Sequence, residues 1–260
     1  MSLDTKFKAA GQSGWWESVK IVLQAFAIAM VVRFFLYQPF NIPSGSMMQT
    51  LLVGDYLFVS KLSYGYSKYS FPFSLNLFGG RVLASEPKRG DVAVFRLPRD
   101  NSFDYIKRVI GLPGDDIQMK GGVLHLNGTP VPKIRKGEFV SHASSERFAR
   151  KIPLFEETLP NGVRYMVLDS DPHGSLDNTG VYRVPAGHYF MMGDNRDNST
   201  DSRVHPDQDG VGFVPFENFI GRAEVIFFSC AADEEDRCSL FTPWTWPFDI
   251  RWSRIFNLVR

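Results

Sequence analysis

The sequence predicts a mainly β fold: an antiparallel β-sheet domain with an inserted second β-rich lobe, preceded by one N-terminal transmembrane helix. Three observations point there. One long apolar run stands near the N-terminus, short runs of β-branched and aromatic residues bounded by Gly, Pro, Asn or Asp fill most of the remaining chain, and no long amphipathic helical pattern competes with them. With 260 residues, 44% of them hydrophobic and 22% charged, the chain can build one large domain or two interleaved ones.

The apolar run is Ile21 to Leu36, IVLQAFAIAMVVRFFL, in which Gln24 and Arg33 are the polar members. Together with Trp15, Trp16 and Tyr37 it approaches the ~20 residues that cross a bilayer, with aromatic residues at both ends where headgroups lie. Arg33 sits near the end and can snorkel to the interface, well below the roughly 2.5–3.5 kcal/mol of a central arginine. Bulky residues from Arg33 to Tyr37 end the run, where a cleavable signal peptide has small ones. The reading is therefore an uncleaved anchor, in preference to a cleaved signal or a buried soluble helix. Lys6, Lys8 and Lys20 precede it, and no Lys or Arg stands between Arg33 and Lys61. That bias places the N-terminus in the cytoplasm and the body outside it, on a single span.

In the body, strands are expected at Tyr56–Ser60, Asp91–Phe95, Tyr105–Ile110, Tyr165–Leu168, His188–Met192 and Ala223–Phe228. Gly122–Leu126 and Thr129–Val131 flank Asn127-Gly128, a hairpin signal because both centre positions of a type I′ turn need positive φ. From about Lys133 to Asn178 the chain is richer in charge and shows few clear strands, which reads as an insertion. The expected units are 1–38 (cytoplasmic N-terminus and anchor), 39–115 and 186–240 (the two parts of the core), 116–185 (the inserted lobe) and 241–260. The last mixes Trp, Phe and Ile with Arg251, Arg254 and Arg260, a composition that suits a membrane interface or packing on the domain itself.

Charge and cysteine content narrow the function classes. The 29 Lys and Arg against 28 Asp and Glu leave a net charge of +1, so no nucleic-acid partner is expected. Two cysteines exclude a disulfide framework and a four-thiolate zinc site. Cys230 and Cys238 could close one small ring on an oxidising side of a membrane, a pairing that sequence leaves open.

Three places could carry chemistry. Ser44-Gly45-Ser46, just after the anchor, is a turn or a nucleophile; no Gly-x-Ser-x-Gly elbow surrounds it, and the five histidines form no triad pattern. Lys107 lies on the expected strand before the turn Gly111-Leu-Pro-Gly114. Alternation puts it on one face with Tyr105 and Val109 and puts Arg108 on the other, so one of the two cations must face apolar company. A desolvated lysine loses its proton more easily and can serve as general base to a hydroxyl. The third place, Gly193 to Arg203, is rich in carboxylates. It reads as a loop held by Arg196 and Arg203, as a calcium loop, or as a paired-carboxylate site using Asp194 and Asp201. The EF-hand template fails: counted from Asp197, Ser202 stands where Gly is required and Gln208 where Glu is.

In this order, the anchor, Ile42-Pro-Ser-Gly-Ser-Met-Met48, Gly54-Asp55, Lys88 to Arg96, Tyr105 to Asp115 and Gly193 to Arg203 resemble bacterial signal peptidase I, across about residues 15–228. The resemblance implies a serine endopeptidase with Ser46 as nucleophile and Lys107 as general base. Ser44 and the Ser46 backbone N–H would form the oxyanion hole, Ser199 would orient the lysine, and Asp194, Arg196, Asp201 and Arg203 would frame the site. Phe40, Ile42, Met47 and Tyr105 are the expected walls of the substrate pocket. Exported preproteins would be the substrates and membrane lipid the other partner, in a bacterial plasma membrane with the catalytic domain extracytoplasmic; no metal or cofactor is called for. One departure stands out: Gln49 occupies a position where the family commonly has Pro. A self-cleaving Ser-Lys protease of the repressor type and a non-catalytic tethered β domain are the competing readings, the first disfavoured by the anchor.

Overall fold

The computed structural model describes residues 3–71, 74, 79–141, 150–231, 238 and 246–260. It opens with α1, Leu3–Val31, continued by a π-helical turn at Val32–Leu36. Within it Gly14–Leu36 is long and apolar enough to cross a membrane, with a mean hydropathy of 2.1 and no part buried against the body. The last carbonyls of a helix have no partner inside it. Here the body supplies them: Lys61 Nζ donates to the carbonyls of Arg33 (3.1 Å) and Phe34 (3.3 Å), Tyr66 Oη to Phe35 (2.5 Å), and the Lys61 amide to Leu36 (2.9 Å).

Fourteen strands follow among the described residues. They are β1 (Tyr37–Asn41), β2 (Asp55–Ser60), β3 (Val92–Arg96), β4 (Asp104–Gly111), β5 (Asp116–Lys120), β6 (Val123–Leu126), β7 (Thr129–Pro130), β8 (Lys133–Ser141), β9 (Arg150–Thr158), β10 (Arg164–Leu168), β11 (Tyr182–Arg183), β12 (His188–Met192), β13 (Val214–Pro215) and β14 (Phe219–Ser229). Seven form the main antiparallel sheet in the order β1-β2-β14-β3-β4-β12-β13. The remaining seven make two smaller sheets, β11-β5-β6-β7 and β10-β9-β8.

Burial explains why the main strands read as they do. On β3, Val92 and Val94 pack with Ile42, Leu57 and Ile220, while Ala93 and Phe95 pack with Tyr64, Tyr189 and Phe219 on the opposite face. A strand covered on both faces is a continuous apolar run, not an alternating one. The Asn127-Gly128 turn has φ of 53° and 80°, as a type I′ hairpin demands, and joins β6 to β7.

The structure departs from expectation between residues 133 and 178. In place of few strands it has β8 and β9, nine residues each and paired over their length. Their sequences are masked by charge because the hairpin carries cross-strand ion pairs, Lys136 with Glu156 and Lys151 with Glu138, where a core strand would carry valines. At the other end of the chain, Cys230 and Cys238 are joined in a disulfide, their Cα atoms 6.4 Å apart. Residues 241–245 of the aromatic segment lie outside the described residues. Beyond them Phe248, Trp252 and Phe256 are exposed, and Leu258 bridges Val225 at the edge of β14.

Candidate active site

Ser44, Ser46 and Lys107 meet beside the middle of β4. Ser46 sits in a 3-10 turn, Gly45–Met47, after β1 and is nearly buried. Pairing in the main sheet sets Ala93 opposite Lys107 and Val94 opposite Ile106. This register delivers Lys107 to the serine: its Nζ lies 2.5 Å from Ser46 Oγ. Ser44 Oγ stands 3.5 Å from the same oxygen.

Lys107 is buried, with its ammonium 5.5 Å from the centre of the Tyr105 ring. Desolvation pushes its pKa down to about 8; the Asp201 and Asp194 carboxylates oppose that shift and the Arg203 cation adds to it. Alternation required one of two neighbouring cations to be buried. Both are, because Arg108 is fully buried on the opposite face and neutralised there. Its guanidinium grips Asp194 through Nε (2.8 Å) and Nη2 (2.7 Å).

The loop from Gly193 to Arg203 holds itself together less than its composition suggested. Arg203 and Asp201 do pair within it, through Nε and Nη2 at 2.9 Å each. Burial works against the Asp201 charge, but Arg203 and the amides of Gly193 and Arg203 outweigh it and hold the carboxyl below its usual range. Arg196 turns outward to the lobe instead, making two bonds to the buried carboxylate of Glu157 on β9, one of them 2.7 Å. Tyr165 on β10 donates to the same carboxylate at 2.7 Å. Ser199 Oγ is buried and has no hydrogen-bond partner among the described residues.

Several of these contributors escaped the sequence reading. Asn195 clamps the Ser46 turn, donating from Nδ2 to the Gly45 carbonyl (3.0 Å) and from its amide to the Ser46 carbonyl (3.1 Å). Thr50 Oγ1 donates to Asp194 at 2.5 Å. Gly193 allows the close approach, since a Cβ there would stand 2.6 Å from the Ser46 carbonyl oxygen and collide with Ser199. Asn195 and Thr50 lie in or beside the quoted motifs, whereas Glu157 is 39 positions from its partner and carries no local signal.

A cleft of about 440 Å³ opens over the serine, walled by Phe40, Ile42, Val94, Phe103, Tyr105 and Ile106. Met47 does not line it. That side chain is fully buried beneath the turn with Ile42, Leu51 and Leu57, because the turn that points Ser46 at the cleft points its neighbour into the core. Of the five histidines, His142 lies outside the described residues, and among the described residues none of the others hydrogen-bonds Ser46 or Lys107. Gln49, in the position of the usual proline, has φ of 83°.

Comparison with known proteins bears on the family of the chain. A family model described as signal peptidase, peptidase S26, matches residues 15–228. Signal peptidase I of Rickettsia canadensis (strain McKiel) is 44% identical over 243 residues, covering 88% of this chain and 85% of the relative. Signal peptidase I of Rickettsia typhi (strain ATCC VR-144 / Wilmington) is 46% identical over 225 residues, covering 81% of each. A solved signal peptidase I from Enterococcus faecalis V583 is 26% identical, with a TM-score of 0.30, over 53% of this chain and 97% of that one. With the family model spanning most of its length and relatives this close, the chain belongs to the signal peptidase family, peptidase S26.

Proposed function

We propose that this chain is a membrane-anchored serine endopeptidase that removes N-terminal signal peptides from exported preproteins, using Ser46 and Lys107 as a catalytic dyad. The observation that carries the reading is the 2.5 Å approach of Lys107 Nζ to Ser46 Oγ at the floor of an apolar-walled cleft. Burial favours the neutral amine. The neutral amine takes the Ser46 proton as Oγ attacks the peptide carbonyl. The resulting oxyanion is met by the Ser46 backbone N–H and the Ser44 hydroxyl. Collapse transfers the proton from Lys107 to the leaving amine and leaves an acyl-enzyme. Lys107 then takes a proton from water as the water oxygen attacks the ester; the acyl C–Oγ bond breaks, the Lys107 ammonium returns its proton to Ser46 Oγ, and the signal segment departs with a free C-terminal carboxyl. No step calls on a metal or cofactor.

Ser199 is assigned to orienting the lysine, supported by its uncommitted, buried hydroxyl next to the nucleophile turn. Substrate lies extended along the edge strand β1, with Phe40, Ile42 and Tyr105 shaping pockets small enough to select an Ala-x-Ala-like site. Asp194, Arg196, Asp201 and Arg203 keep the framing role. The anchor reads with its N-terminus cytoplasmic and the catalytic body outside, with residues 116–185 as the inserted lobe. Exposed Phe248, Trp252 and Phe256 support an interfacial seat for the C-terminal segment.

The test is to incubate the detergent-solubilised protein with an exported preprotein and sequence the new N-terminus, beside Ser46→Ala and Lys107→Ala. Cleavage after a small-x-small site that vanishes in both variants is expected. Persistence in either variant overturns the dyad. Preprotein binding without cleavage by the wild type would return the chain to a tethered binding domain.

A further inference from the structure

We propose that Glu157, in the three-stranded sheet β10-β9-β8, is a positioning residue: by gripping Arg196 it fixes the segment from Asp194 to Ser199 against the Ser46 turn, a role that rests on the Ser46–Lys107 chemistry proposed above.

Strand register builds the anchor point. Glu157 on β9 stands opposite Lys133 of β8 on one side and Tyr165 of β10 on the other. Directly opposed residues share a face of a sheet, so the three side chains form one row. Glu156, one position earlier, points the other way and pairs with the exposed Lys136. Burial works against the Glu157 charge, but Arg196, Tyr165 and Lys133 outweigh it and hold the carboxyl below its usual range.

The segment is tied to this sheet at three successive residues. The Leu168 amide donates to the Asp194 carbonyl (2.8 Å), and Leu168 bridges Asn195 in parallel, as a further strand would. Arg196 meets both oxygens of Glu157 with its two terminal nitrogens, which sets its direction as well as its distance. Asp197 Oδ2 accepts from the amides of Ser170 (2.6 Å) and Asp171 (2.9 Å), just beyond β10. Asn195, between these ties, holds the Gly45 and Ser46 carbonyls, and Ser199 follows Asp197 by two positions. Tyr165 also reaches toward the other side of the site: the Arg108 guanidinium lies over its ring, 4.3 Å from the centre, and Arg108 adjoins Lys107.

Glu157 and Arg196 are both buried. An ion pair so placed adds little net stability, because desolvation of the two charges offsets their attraction. What it supplies is orientation, and a displacement of about 1 Å far from the chemistry can cost about 10²-fold in rate.

The experiment compares wild type, Glu157→Gln, Tyr165→Phe and Glu156→Gln, each as the full chain in detergent. The readouts are preprotein cleavage, its pH profile and hydrogen exchange across residues 193–203. Glu157→Gln is expected to lower kcat by up to about 10²-fold with KM little changed, and to speed exchange from Asp194 to Ser199. Burial is the chief cause of the low Lys107 pKa; Asp201 and Asp194 oppose it and Arg203 adds to it. Water admitted by a loosened segment therefore moves the midpoint of kcat/KM up from about 8 toward the ordinary lysine value of about 10.4. Loss of folded protein alone lowers the rate without moving that midpoint. Glu156→Gln removes the same charge from the opposite face and should leave all three readouts as in the wild type. Tyr165→Phe keeps the ring against Arg108 but removes its 2.7 Å bond to Glu157, so it should move them in the same direction by less. It decides the matter if Glu157→Gln fails to fold. Wild-type kinetics, an unmoved midpoint, or equal effects from Glu156→Gln would overturn the role. If the wild type cleaves no preprotein, the proposed function falls, and hydrogen exchange alone decides whether Glu157 holds the segment.

Discussion

Arg108 holds both oxygens of Asp194, at 2.8 and 2.7 Å, from the strand position next to Lys107. The alternation of β4 sends the lysine to the cleft and the arginine to the opposite face. There Asp194 also receives Thr50 from the nucleophile loop at 2.5 Å. One carboxylate therefore ties together β4, the loop that follows Ser46 and the loop from Gly193 to Arg203.

Removing one partner of that pair leaves a buried charge uncompensated. Asp194→Asn is expected to destabilise the protein by about 3–5 kcal/mol, or roughly 6–20 °C in melting temperature for a chain of this size. Thermal denaturation checks it, and a shift under about 2 °C would mean the guanidinium finds another acceptor.

The pH dependence follows from the sign of the lysine shift. Burial lowers Lys107 to about 8, and in the proposed mechanism the neutral amine is the working form, so kcat/KM should rise with pH and level off above about 8. A lysine at its ordinary value would still be gaining rate at about pH 10. Preprotein cleavage measured between about pH 6 and 10 separates the two profiles.

Ser44 stands 3.5 Å from the nucleophile oxygen and is assigned to the oxyanion. Ser44→Ala should lower kcat by about 10²–10³-fold, or about 2.7–4 kcal/mol, with little change in KM or in melting temperature. A matching fall in binding would place the hydroxyl on ground-state substrate instead.

Proline at position 49 meets a backbone it cannot adopt. Gln49 has φ of 83°, whereas a proline ring fixes φ near −65°. Gln49→Pro should therefore cost more than about 1 kcal/mol and lower activity by disturbing Thr50 and its bond to Asp194. Unchanged stability would show that the turn takes either form.

The legible part of the sequence was the local part. Five of the seven main-sheet strands announced themselves as apolar runs, whereas β1, directly after the anchor, and the two-residue β13 did not; the β6–β7 turn was legible through Asn127-Gly128, and the family through the order of its motifs. The burial of Lys107 was foreseeable only in part: alternation named two candidates for one apolar place, and the opposite face proved to hold a carboxylate for the second. Glu157 and Tyr165 could not be seen, since their role depends on the lobe folding back against Arg196. Met47 was misplaced because its position after the serine says nothing about which way a tight turn aims it. The β8–β9 hairpin was missed because ion pairs replace the apolar alternation there.

The carbonyls at the end of the apolar helix are held one after another by Lys61 and Tyr66. A joint fastened at four consecutive residues does not swivel, so helix and body move as one lever. In the proposed membrane-anchored enzyme, any tilt the helix takes to match the thickness of a bilayer is passed on to the cleft. The height at which the cleft meets an emerging polypeptide then becomes a property of the lipid as well as of the protein, and the same enzyme would present its cleft differently in thin and thick membranes.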